Sequence, residues 1–220
     1  DNASGHFDTP NNDNSRVNLA NLAGERGQSA YNQPLNDTLS VIWDLPFGQG
    51  RRFGAASPRA VQTLLGDWQL TAINTATSGQ PVNLIYSESA AFDVSDLLNY
   101  RPNVSGNPVV PSGQRVKTAT AVSNYLNSSV VSIPTDVTHP YGNAGRNSLR
   151  SPTFNELDLG VHKGFRIWKS TVLDIQGEAF NALNHVNYGA PDSNRSDGGF
   201  GSITSAFPPR QLQVAAKLIF

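Results

Sequence analysis

The sequence predicts an all-β chain, an antiparallel transmembrane β-barrel present as an incomplete, open, curved sheet of about five strands with long extracellular loops. Three observations predict it. The last ten residues alternate, with Leu212, Val214, Ala216, Leu218 and the terminal aromatic Phe220 on one side. A strand between lipid and a polar lumen must alternate in this way, and interfacial aromatics anchor its end. Four earlier segments share the period of two, and the connections between them fall into short and long classes.

Composition agrees with many strands and turns. The 220 residues include 19 Gly and 14 Pro, and only 15% are charged. Sixteen Lys and Arg against seventeen Asp and Glu leave a net charge of -1. No strong field therefore points to nucleic acid, and none is expected as a partner. No run of eighteen apolar residues would make a membrane helix, whereas barrel strands average out to polar hydropathy. The absence of Cys excludes disulfides, thiolate metal sites and a cysteine nucleophile. The chain holds no Met and opens without a basic, apolar leader. It therefore reads as a piece of a longer protein, with residues 1–220 forming one barrel segment.

Taken in order, the first strand is expected over 36–46. Leu39, Val41, Trp43 and Leu45 form its apolar side, with Ile42 as the exception. The second begins near 66 and extends as far as 86, with Trp68, Leu70, Ala72 and Ala76 on one face. The third, 153–166, sets Leu157, Leu159, Val161 and Phe165 against Glu156, Asp158 and His162. Lys163 falls on its apolar face, where a long basic side chain snorkels to the interface. The fourth, 170–182, sets Leu173, Ile175, Gly177 and Ala179 against Asp174, Gln176 and Glu178; the fifth is the terminal strand.

Counting back from Phe220 as a periplasmic end makes 183–210 and 87–152 extracellular and the turn 167–169 periplasmic. It also puts Phe47, Trp68, Phe165, Trp168 and Phe220 at the periplasmic strand ends, the level of an aromatic girdle. Only the connection 47–65 is long for its side. Alternation equally suits a soluble β-sandwich acting as a carbohydrate-binding or adhesion module. In a sandwich the faces bearing Leu159, Ile175 and Val214 would pack on a second sheet.

Several strings, in order, resemble a known family. They are Ala23-Gly-Glu-Arg-Gly-Gln-Ser-Ala-Tyr31, Trp43-Asp-Leu-Pro-Phe-Gly-Gln-Gly-Arg-Arg-Phe53, Leu65-Gly-Asp-Trp-Gln-Leu70 and Thr77-Ser-Gly-Gln-Pro81. Gly142-Asn-Ala-Gly-Arg-Asn-Ser-Leu-Arg150, Glu178-Ala-Phe-Asn-Ala-Leu-Asn-His185 and Pro209-Arg-Gln-Leu-Gln213 continue the series. Together they resemble the late barrel of Oar-like TonB-dependent outer-membrane receptors, of the type carrying a carboxypeptidase-regulatory-like domain and numerous in Acidobacteria. Departures are Ser151 where Gly is expected, Asp67 where a second Gly is common, and 32–36, which replaces an Asp and His pattern.

The resemblance implies a receptor in the bacterial cell outer membrane with a barrel of about 22 strands, a plug and a TonB-contacting segment. It implies active uptake of a small-molecule or oligosaccharide ligand that the sequence does not name. It also implies contacts with outer-membrane lipid and lipopolysaccharide, with the TonB system through the plug, and with the barrel assembly machinery. For that machinery Leu212, Val214, Leu218 and Phe220 would be the assembly signal.

No enzyme activity and no cofactor are expected. No Gly-x-Ser-x-Gly elbow occurs, and His139 and His185 read as loop residues. His6, Asp8 and Asp13 fit neither EF-hand nor zinc spacing, so no metal site is expected. Gly198-Gly-Phe-Gly201 lacks the Lys of a phosphate loop and reads as a flexible surface loop. Arg51, Arg52, Arg59, Lys163, Arg166 and Lys169 gather at the periplasmic rim, as headgroup contacts or as solvated turns.

The lumenal face carries a polar cluster of Glu156, Asp158, His162, Asp174, Glu178 and Lys217. A turn centred on Trp168 would set Asp174 opposite His162 and Lys217, and Asp158 opposite Glu178. Basic plug residues or water would then compensate the facing carboxylates.

Overall fold

A computed structural model describes residues 18, 21–87, 100–136, 140–168 and 170–220. Its strands, in chain order, are β1 (Asn36–Asp44), β2 (Trp68–Thr77), β3 (Pro81–Val82), β4 (Asn103–Val104), β5 (Val131–Ser132), β6 (Leu149–Arg150), β7 (Phe154–Trp168), β8 (Thr171–Phe180) and β9 (Gln211–Ile219). The chain divides into two units: Asn36–Ala76, Asn155–His185 and Pro208–Phe220 form one, and the remainder forms the other.

The first unit is an open five-stranded sheet in the order β1-β2-β7-β8-β9. Strands β7 and β8, and β8 and β9, run antiparallel. β1, β2, β8 and β9 have nine or ten residues each, close to the roughly 9–11 that a tilted strand needs to cross a bilayer. The second strand is shorter than its pattern suggests. It stops at Thr77, because the chain turns at Ser78 and Gly79 into the short ladder of β3 with β6.

The connection between β1 and β2 is ordered by local contacts. Pro46 cannot donate to a ladder and β1 ends before it. Phe47 and Phe53 then meet with ring centroids 5.8 Å apart, and the backbone bonds of Gly48 and Phe53 close the loop. A short helix, α1 (Arg59–Leu65), follows Pro58 and was not anticipated from the sequence. Asp67 turns the chain into β2 with φ +54°, the left-handed region that favours glycine. That conformation explains why glycine would suit this position.

The second unit gathers the long connections, and it has its own core. Val82, Leu84, Val122, Leu126, Val131 and Ile203 are buried in one cluster. Their backbone partners are other loops: Val122 pairs with Ile203, Ile85 with Asn194, and β4 with β5. Arg150 clamps the segment 28–32, donating to Gln28 Oε1, Asn32 O and Asn32 Oδ1, and also to Gly79 O. The glycine run 198–201 is mixed: Gly198 and Gly199 are exposed, as a surface loop would have them, whereas Phe200 packs against the core and Gly201 is part of it. Gly201 is buried at φ +81°, its carbonyl accepts from Leu126, and a Cβ there would lie 2.6 Å from the Leu126 carbonyl oxygen.

Candidate functional site

The two faces of the open sheet differ in chemistry, and the register fixes which residues share each face. Between β7 and β8 the partners are Leu159 with Ala179, Val161 with Gly177, Lys163 with Ile175 and Phe165 with Leu173. Between β8 and β9, Ala179 faces Leu212, Gly177 faces Val214 and Leu173 faces Leu218. One side of these three strands is therefore apolar throughout, apart from Lys163. It is also uncovered: Leu159 is 43%, Leu212 74% and Val214 81% exposed.

Removing such a side chain from water stabilises by about 1.5–3 kcal/mol when burial is complete. Left in water, so large a contiguous apolar surface marks a membrane or an interaction face. Trp43, Leu70, Val161 and Val214 wall a concavity of about 610 Å³ on this face, and Gly177 and Ala72 keep its floor low.

The opposite face carries the polar set, but in a different pairing from the expected one. Asp174 lies opposite Gly164, not His162; His162 faces Gln176, and Glu178 faces Gly160, not Asp158. The hairpin is tight and carries an irregularity between Arg166 and Trp168, which moves the pairing by two residues. An even shift leaves every side chain on its face. Across β8 and β9, Asp174 faces Lys217 and Glu178 faces Gln213.

No facing carboxylates therefore need compensation within β7 to β9. The six residues also do not form a single cluster. Asp158 belongs to the part of β7 beyond the β8 ladder, where its Oδ1 accepts from the backbone N of Asn181 at 2.9 Å. Glu156 lies farther out on the same strand, and its carbonyl accepts from Asn74 at 3.1 Å. Gln176 Nε2 donates to Asp174 Oδ2 at 2.5 Å, beside Lys217 on the next strand. On β1 and β2, Asp44 accepts from Gln69 at 2.8 Å and pairs with Arg51 at 3.6 Å.

Lys163 is corrected by the structure. It is buried, 3% exposed, and does not reach out to the interface. Its Nζ donates to the buried carbonyl of Gly66 and sits 5.5 Å and 5.0 Å from the ring centroids of Trp68 and Phe165. Those rings belong to one end of the sheet, where Leu45 N donates to Trp68 O and Trp168 pairs with Thr171. Ile219 pairs with Val172, so Phe220 ends at this level too. Arg51, Arg52, Arg59 and Arg166 are exposed, and the Arg52 guanidinium lies over Phe53 at 5.3 Å.

Leu212, Val214, Leu218 and Phe220 are all exposed, on or just beyond the edge strand β9. His185 bonds through its backbone to the Asn181 side chain in a turn. His6, Asp8, Asp13, His139 and Lys169 lie outside the described residues. Among the described residues no group of three or more His, Asp and Glu is placed to hold a metal.

A long, uncovered apolar face backed by a polar one, on strands of membrane-crossing length, defines a membrane-spanning β-barrel segment. A family model described as an outer membrane beta barrel domain matches residues 1–213, and the chain belongs to that family. Its place is the bacterial outer membrane. No curated relative and no solved structure matches the chain.

Proposed function

We propose that the chain is the late barrel segment of an Oar-like TonB-dependent receptor whose complete form binds a solute and takes it up with energy delivered through TonB. The observation that carries this reading is the company of a two-faced sheet with a loop unit that has its own buried core. A loop unit with its own buried core supplies a rigid surface, which a receptor needs to hold a ligand. The strings quoted above supply the family and its order along the chain.

In this reading the sheet faces lipid and lipopolysaccharide with Leu159, Ile175 and Val214. The lumenal groups Asp174, His162, Glu178 and Lys217 border the path of the solute. The plug couples to TonB, and the terminal strand is read by the barrel assembly machinery. The segment carries no catalytic step and no cofactor. The soluble sandwich fits less well, because the side chains that a second sheet would cover are exposed.

The test compares a strain lacking the gene with one lacking TonB, on a panel of sole carbon, iron and cobalamin sources. The reading expects at least one source on which both strains fail alike. Normal growth of the gene-deletion strain on every source that requires TonB contradicts it.

A further inference from the structure

The connection 47–66, at the end of the sheet that carries Phe220, is built inside out. Its helix α1 turns Gln62 inward, where Nε2 donates to the carbonyls of Ala55 and Ser57 at 2.9 and 2.8 Å. The apolar residues face outward. Val61, Leu64 and Leu65 are 38%, 65% and 54% exposed, and their spacing of three and four puts them on one side of the helix. Arg59 and Thr63 fall on the other side. Phe47 and Phe53, which close the loop, are exposed as well. A polar side chain within and a cluster of apolar ones without is the arrangement of a surface that meets lipid.

The connection is also folded onto the apolar side of the sheet. Trp68, on the same side of β2 as Leu70, donates from Nε1 to the carbonyl of Leu64 at 2.8 Å. Lys163, on the apolar side of β7, donates from Nζ to the carbonyl of Gly66. Gly48 packs so closely on this point that a Cβ on it would lie 2.7 Å from Cα of Gly66. Residues 64–66 are thus held on the side that Leu70, Leu159 and Val214 turn outward. The outward patch of α1 continues that lipid-facing surface at its end.

The same connection is purely cationic, with three Arg and no Asp or Glu. Arg51 pairs with Asp44 at 3.6 Å, both groups about half exposed. Arg52 and Arg59 are exposed and meet no carboxylate among the described residues. We infer that 47–66 is an interfacial anchor for anionic phospholipid of the periplasmic leaflet. Val61, Leu64 and Leu65 enter the upper acyl region, while Arg51, Arg52 and Arg59 hold head-group phosphates, which the guanidinium fork matches. A helix lying in the interface also accounts for the length of this connection. The inference rests on the barrel reading with Phe220 at the periplasmic end.

The test uses the complete protein in vesicles of phosphatidylethanolamine, alone or with phosphatidylglycerol or lipopolysaccharide, with any cysteine outside the segment replaced by serine. One spin-labelled cysteine stands at position 64, 63 or 161 in turn, and heat-modifiable mobility shows that each variant is folded. The label at 64 should be accessible to oxygen and shielded from a neutral nickel chelate, and the label at 63 should show the reverse. Phosphatidylglycerol should raise the ratio of oxygen to chelate accessibility at 64. Arg51→Gln, Arg52→Gln and Arg59→Gln combined should lose that rise. A chelate-accessible label at 64, or a ratio indifferent to phosphatidylglycerol or to the three arginines, overturns the anchor. A ratio that answers to lipopolysaccharide alone overturns its periplasmic place. The label at 161 separates the two readings: if it too lies in water, the lipid-facing sheet fails, whereas 161 in lipid with 64 in water removes the anchor alone.

Discussion

Glu178 lies directly across the β7–β8 ladder from Gly160. Directly opposite, the carboxylate therefore meets no side chain on that strand. A Cβ on residue 160 would fall 2.2 Å from Thr71 Oγ1 on β2, closer than atoms can approach. Gly160→Ala should lower stability by about 1–3 kcal/mol, the usual cost of overpacking. Adding Thr71→Ala, which removes the hydroxyl oxygen, should restore most of the loss. Urea titration of the detergent-folded protein measures both, and a neutral Gly160→Ala would contradict the close approach of β2 and β7.

Lys163 is held by the Gly66 carbonyl and two aromatic rings on the apolar side of the sheet. Lys163→Met keeps the length and packing of the stem and removes the donor. It leaves a carbonyl of a buried glycine without that partner, at a cost of about 1–3 kcal/mol. Unfolding at wild-type urea concentration would show that the contact contributes nothing.

The sheet was legible because its signal is periodic. Leu39, Val41 and Trp43, or Leu212, Val214 and Leu218, name a strand and its apolar side without help from the rest of the chain. The pairing of strands was less legible. Whether Asp174 meets His162 or Gly164 depends on two residues of turn geometry, and an irregularity at Arg166 to Trp168 leaves no mark in the hydrophobic pattern.

The loop unit was the least legible. Its core residues, such as Leu84, Val122 and Ile203, are far apart in sequence and follow no period, because loop-to-loop packing imposes none. Arg101 and Glu25, which form an ion pair at 2.5 Å, were missed for the same reason: 76 residues separate them. The only sign of the pair was that Glu25 falls within the string 23–31. A lone cation on an apolar face usually reaches the interface, and at Lys163 the carbonyl of Gly66 and the rings of Trp68 and Phe165 override that rule.

Tyr125 lies in the core of the loop unit and donates to the carbonyl of Arg150 at 2.8 Å, with the Arg115 guanidinium 4.2 Å above its ring. Burial raises its phenol above the ordinary value, and the charge of Arg115 opposes this in part. A raised acid favours the neutral phenol in the fold. Its contribution is complete below the unfolded value, about 10, and is lost as pH climbs from there through the folded value. Hydrogen exchange of the segment 122–131 should accelerate above pH 10 beyond its intrinsic rate. Tyr125→Phe should remove that extra dependence; an identical pH profile in the variant would count against it.

Phe220 is 91% exposed at the end of edge strand β9. If the terminal strand is the assembly signal, deleting Phe220 reduces the amount of the complete receptor in the outer membrane. It should do so without reducing synthesis. Equal outer-membrane recovery of the deleted and intact proteins argues that the terminal aromatic has no such role.

The central claim is that alternate residues of β7 to β9 face lipid and lumen. The 220 residues hold no cysteine, so a cysteine introduced among them is the single thiol of this segment; it is spin-labelled in the complete protein in bilayers, with any cysteine outside the segment replaced by serine. Labels at positions 161, 173 and 214 should be accessible to oxygen and shielded from a water-soluble nickel chelate, while labels at 162, 174 and 213 show the reverse. Uniform accessibility along the strands, or the opposite alternation, would contradict the account.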